Sequence, residues 1–352
     1  MSAPIPVFDG HNDFLLRLHR HPARREAIWL GQERGGHLDL PRMRAGGFMG
    51  GFFAIYVPSP EGLGDIDAAM SRPPYRLELP EAIGPAAAEP VALDMARHLL
   101  WMARTPRDAL RVCRTVEEIE ACRRDGAIAA VLHMEGAEAI GPDLDALHLW
   151  HALGLRSLGP VWSRPNAFGH GVPFTYPASP DDGQGLTGAG RDLVRACEAL
   201  GIVIDLSHLN EAGFRDVARL SRAPLVATHS NAHAVCPSSR NLTDRQLAMI
   251  RETGGLVGLN FATAFLRPDG RRDPDTGLDV ALRHLDHLIA YLGEEGVGFG
   301  SDFDGATVPA ALGDVAGLPK LLAALAAHGY DDALLRRLAH GNWLALLRRV
   351  WR

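Results

Sequence analysis

Eight short, largely apolar runs divide this chain, and helical patterns or loops separate them. The runs occupy residues 5–8, 48–57, 127–132, 155–161, 202–206, 224–227, 255–259 and 297–300. Continuous apolar runs of this length read as strands buried on both faces, as in parallel sheets. Between them lie helical patterns, such as 91–103 with Leu93, Ala96, Leu99 and Leu100 at helical spacing. Thr115 followed by Glu118 makes a capping box. Further helices are expected near 143–153, 191–200, 211–220, 243–252 and 278–292, and three more close the chain. Eight strand–helix units predict an α/β fold, a closed (β/α)8 TIM-type barrel of the metal-dependent hydrolase kind, over an open sheet. Residues 1–352 show no linker and no solenoid repeat, so a single domain is expected.

Composition narrows the function. The chain is 47% hydrophobic and 22% charged, with a formal charge of −6 spread along its length. That pattern offers no footprint for nucleic acid. The terminal cluster Arg348, Arg349 and Arg352 reads as cations in the last turn of a helix. Cys113, Cys122, Cys197 and Cys236 are scattered without a C-x-x-C pair, as reduced thiols are. The first residues lack the basic start and apolar core of a signal peptide, and run 48–57 is too short and glycine-rich to span a bilayer. A cytoplasmic protein without membrane contact is expected.

The polar residues that follow the strands carry the chemistry. His11 and Asp13 end the first strand, two apart, so that both side chains project to one side. Glu135 follows the third, His208 the fifth, His229 the sixth and Asp302 the eighth. In a barrel all six come to the C-terminal mouth, where such enzymes build their sites. Burying that many ionisable groups together is costly unless they are paired or bind metal. Three histidines and three carboxylates exceed the needs of one tetrahedral zinc. They suit two ions bridged by a carboxylate, with one acid left for proton transfer.

The segments FDGHNDF, LHMEGAEAI, IDLSHLN, ATHSNAHAVC, SSRNLTD and FGSDFDG occur in this order. The chain carrying them resembles the renal or membrane dipeptidase family, peptidase family M19, from about residue 5 to residue 345. The resemblance implies a cofactor of two zinc ions. His11 and Asp13 would hold the first, His208 and His229 the second, and Glu135 would bridge them. Asp302 would take the proton of the attacking hydroxide and pass it to the leaving amine. Arg240 would pair with the terminal carboxylate of a dipeptide, which a guanidinium recognises bidentately. Asp304 would orient a ligand from behind. Hydrolysis of L,L dipeptides, and of those with a D residue on the carboxyl side, is implied. The family also includes homodimers, for which the proline-rich excursion 58–90 would supply the contact.

One departure falls in the substrate pocket. Family members carry a histidine after strand four, within Thr-His-x-x-x-Asn, that helps bind the carbonyl oxygen. Here Trp162 holds that place and Asn166 keeps its own, so both are assigned to substrate binding, with Arg164 and His170 as candidates for the lost role. An indole donates a hydrogen bond but cannot become a cation. The exchange keeps two other functions in view: a binuclear amidohydrolase acting on another small amide, N-acyl amino acid or lactone, and a non-catalytic metal-binding barrel.

Overall fold

The computed structural model describes residues 4–59 and 66–351. Eight parallel strands form the core: β1 Val7–Asn12, β2 Phe48–Tyr56, β3 Ile128–Glu135, β4 Leu155–Gly159, β5 Val203–Ile204, β6 Val226–Ala227, β7 Leu256–Leu259 and β8 Val297–Phe299. They pair in the order β5-β4-β3-β2-β1-β8-β7-β6. The one gap, between β5 and β6, is spanned by a single parallel bridge from Asp205 to Val226. The expected barrel is therefore present and nearly closed.

Inside it, β2 and β3 set the layers. Phe52 pairs in register with Val131, Ala54 with His133 and Tyr56 with Glu135. Alternate residues share one face of a strand, so the barrel interior passes from apolar at the bottom to ionisable at the mouth. Trp343, from the helix Asn342–Val350, plugs the bottom: its indole donates to Phe299 O at 2.9 Å and its ring packs against Phe8 and Phe52. Gly10 is required above this plug, because a Cβ there would run into the Trp343 ring and the Thr228 carbonyl.

The helices lie close to their expected places. Both Thr115 and Thr243 form complete capping boxes, opening the helices Val116–Asp125 and Asp244–Glu252. Two features were not expected. A short strand, Leu110–Val112, pairs with β3 outside the eight-strand path. In addition, the two long loops join in an antiparallel ribbon, Tyr75–Arg76 with Thr175–Tyr176, and Leu77 N–H donates to Phe174 O at 2.9 Å. Part of the 58–90 excursion, residues 60–65, lies outside the described residues, as does Arg352 of the terminal basic cluster. The other two members of that cluster bond to Glu120 and to Gly254 O. All four cysteines are free and buried. Among the described residues no helix is long and apolar enough to cross a membrane.

Candidate metal centre

The six mouth residues converge. Glu135 Oε1 lies 2.9 Å from His208 Nε2, 3.3 Å from His229 Nε2 and 3.7 Å from His11 Nε2. Asp13 Oδ2 is 3.4 Å from the same His11 nitrogen. His11, Asp13 and Asp302 form one group with ligand atoms within 4.8 Å of one another, and His11, Glu135 and His229 form another. All six are buried or nearly so.

The surrounding hydrogen bonds decide what these imidazoles offer. Thr228 Oγ1 donates to Asp205 Oδ2 at 2.6 Å and therefore accepts from His229 Nδ1 at 2.8 Å. On the other imidazole, Nδ1 is 2.9 Å from Ser163 Oγ. The proton of His229 is thereby held on Nδ1 and its Nε2 lone pair faces the centre, as in metal-ligating histidines, while Nε2 of His208 faces the same point. Those two Nε2 atoms are 3.1 Å apart. Burial holds the pKa values of His208 and His229 well below the ordinary range, so both are neutral. Burial also opposes protonation of His11, yet the carboxylates of Glu135, Asp13 and Asp302 raise it to about 10. Among the described residues neither ring nitrogen of His11 has a hydrogen-bond partner. The field at this point calls for positive charge, and the donor set fits a divalent metal.

Backbone strain helps aim the ligands. His208 and Asp302 sit at φ of 68° and 60°, a region that non-glycine residues rarely enter. Asp302 Oδ2 accepts from Asn260 Nδ2 at 2.9 Å, and burial raises its pKa. Gly305 leaves room for the Asp13 carboxylate, which a Cβ there would overlap. Asp304, whose side chain is buried, accepts from His37 N–H at 2.6 Å and donates its own N–H to His37 Nδ1.

Beside the centre lies a cleft of about 410 Å³, lined by Asp13, Glu135, His208 and Asp302 and walled by Tyr56, Trp162, Phe174 and Phe265. Arg240 is buried next to it rather than lining it. One guanidinium N–H group donates to Ser230 Oγ at 3.0 Å and another to His229 O at 3.1 Å, while Nε has no partner among the described residues. Its guanidinium carbon lies 5.8 Å from the Phe265 ring centre.

Asn166 is not brought to the cleft: its amide donates to Pro160 O and accepts from Phe168 N–H, both at 2.8 Å. The substrate-contact role expected for it gives way to folding the loop after β4. Arg164 is equally committed, with both Nε and a terminal nitrogen on Glu138 Oε1 and further bonds to Val57 O and Ser59 Oγ. It cannot take over for the missing histidine. His170 is likewise absent from the cleft lining.

The membrane dipeptidase family model, peptidase family M19, matches residues 1–352. The chain belongs to this family. Among solved structures, a metallopeptidase from Rhodobacter sphaeroides liganded with a phosphinate mimic of L-Ala-D-Ala is 66% identical. The match covers 99% of this chain and all of that one, with a TM-score of 0.98. An uncharacterised Klebsiella pneumoniae protein in the pqqA 5′ region is 53% identical over 69% of this chain and 89% of its own length. An Acinetobacter calcoaceticus protein in the PQQ-III 3′ region is 43% identical over 81% and 89% respectively. Membership makes the chain a metal-dependent dipeptidase, and the barrel described above is the M19 barrel.

Proposed function

We propose that this dipeptidase uses two zinc ions, one held by His11 and Asp13, the other by His208 and His229, with Glu135 between them. The observation that carries the reading is the convergence of three imidazole Nε2 atoms on one glutamate oxygen, two of them neutral and 3.1 Å apart. When bound, two such ions would lower the pKa of the attacking water and polarise the scissile carbonyl.

The chain's own residues supply the rest. Asp302, held by Asn260 on the β8 side, is the acid/base. Burial raises its pKa, which suits it to carry a proton from the nucleophile to the leaving nitrogen. Arg240 recognises the terminal carboxylate, since among the described residues only two of its five N–H groups are engaged. The phosphinate in the R. sphaeroides relative mimics L-Ala-D-Ala. That supports a small dipeptide, including one with a carboxyl-terminal D residue, as the substrate here.

The test is steady-state hydrolysis of L-Ala-L-Ala and L-Ala-D-Ala by zinc-loaded protein, with an N-acyl amino acid and a lactone as competitors for the role. Turnover of at least one dipeptide is expected to exceed that of both alternatives. Arg240→Ala should raise KM by about 10–100-fold, the loss of a charge-assisted pair. Preference for the lactone, or an unchanged KM in that variant, would contradict the reading.

A further inference from the structure

The protein has five tyrosines, and four of them spend their hydroxyls on it. Tyr75 donates to Gly270 O, Tyr176 to Pro268 O, Tyr291 to Asp244 and Tyr330 to Asp286. Tyr56 is the exception: among the described residues its hydroxyl has no partner. It ends β2 on the same face as Phe52 and in register with Glu135, so its phenol projects into the mouth beside the carboxylate on which the imidazoles converge. From the loop after β4, Trp162 reaches the same wall. Its ring centre is 5.1 Å from that of Tyr56 and 5.7 Å from that of His208. The indole N–H also lacks an acceptor among the described residues. Both side chains line the cleft while exposing only 7% and 8% of their surface.

The phenol and the indole thus line the cleft as donors that no protein acceptor among the described residues occupies. A ligand oxygen between them can accept from both. The arrangement of the cleft suggests which oxygen this is. Asp302 stands on the β8 side with Asn260 behind it, and Arg240 lies beyond His229. The β2–β4 wall is left facing the group across from the acid/base. In peptide hydrolysis that group is the carbonyl oxygen, where negative charge collects as the nucleophile adds.

We propose that Tyr56 Oη and Trp162 Nε1 form a donor pair for the scissile carbonyl oxygen, together filling the place of the histidine that Trp162 replaces. The pair rests on the dipeptidase reading above. Neither donor gives up its proton. The carbonyl carbon gains the attacking oxygen, the C–N bond breaks, and the departing nitrogen receives its proton from Asp302. The phenol and indole only strengthen hydrogen bonds to the oxygen as its charge grows, the form of stabilisation that acts on the transition state more than on the bound substrate.

The test uses Tyr56→Phe and Trp162→Phe, each of which keeps an aromatic wall. Loss of one such donor lowers kcat by about 10²–10³-fold in hydrolases with a donor site of this kind. Each variant is therefore expected to lose kcat on that scale with little change in KM. Calorimetry with the phosphinate mimic of L-Ala-D-Ala should show a parallel loss of affinity, at unchanged metal content. If phosphinate affinity and kcat in Tyr56→Phe stay within twofold of the wild type, the pair is overturned. A rise in KM alone would also overturn it, leaving an apolar pocket. Failure of the wild type to hydrolyse any dipeptide would overturn the dipeptidase reading, and the pair with it, before either variant is compared.

Discussion

Thr228→Val removes one hydroxyl from behind His229 and changes the side-chain shape very little. In the wild type that oxygen donates to Asp205 at 2.6 Å and lies 2.8 Å from His229 Nδ1. The chain of bonds keeps the His229 proton on Nδ1 and the lone pair of Nε2 turned toward Glu135 at 3.3 Å. Valine leaves a fully buried Nδ1–H without an acceptor, worth about 1–3 kcal/mol. The ring then relieves this cost by moving its proton to Nε2, the atom proposed to bind metal. Loss of such support behind a ligand lowers metal affinity by about 10–100-fold, or roughly 1.4–2.7 kcal/mol. Titration of metal-free protein with zinc against a chromophoric chelator measures this directly. The affinity at the His208–His229 position should fall by that factor, while Thr228→Ser, which keeps the hydroxyl, should stay near the wild type. Zinc affinities for Thr228→Val within twofold of the wild type would refute the orienting role of this network.

Two further predictions concern stability. His284 accepts from Ala232 N–H at 3.1 Å and its Nε2 bonds Leu266 O at 2.8 Å, and burial lowers its pKa to about 4. The neutral ring therefore contributes stability that is fully present above about pH 6.5 and is lost as pH falls toward 4, by about 3 kcal/mol. Denaturant unfolding across this range should show that slope, and His284→Gln should flatten it. Arg164→Met strands the buried Glu138 carboxylate and should cost about 3–5 kcal/mol in urea unfolding. Adding Glu138→Leu should recover most of the loss, and a cost below about 1 kcal/mol for the single variant would show that the pair is not holding this rim.

The sequence and the structure agree where a local rule governs. Each of the eight strands overlaps one of the expected runs, and in a barrel the residues that end such a strand reach the mouth. His11, Glu135, His229 and Asp302 were legible for that reason. Thr115 and Thr243 were legible as caps because a capping box is written within four residues. The support behind the metal centre was not, since Thr228 meets Asp205 across 23 positions of sequence, and Ser163 meets His208 across 45. Tyr56 escaped notice because it ends an apolar run, where an aromatic residue looks like core. Only its register with Glu135 shows that it faces the cleft. Asn166 went the other way: a polar loop residue near a site resembles a ligand contact, while its amide in fact closes a turn. The strand Leu110–Val112 was missed because its three residues include an arginine and no periodicity can be read from so few.

Metal stoichiometry against activity tests the central claim most directly. Apo-protein prepared with chelator should be inactive toward L-Ala-D-Ala, and stepwise zinc addition should restore full activity at two equivalents per chain. In Glu135→Gln, which weakens the shared ligand, two equivalents should no longer suffice. Full activity in protein shown to be free of metal, or saturation at one equivalent, would contradict the two-zinc account built on these five ligands.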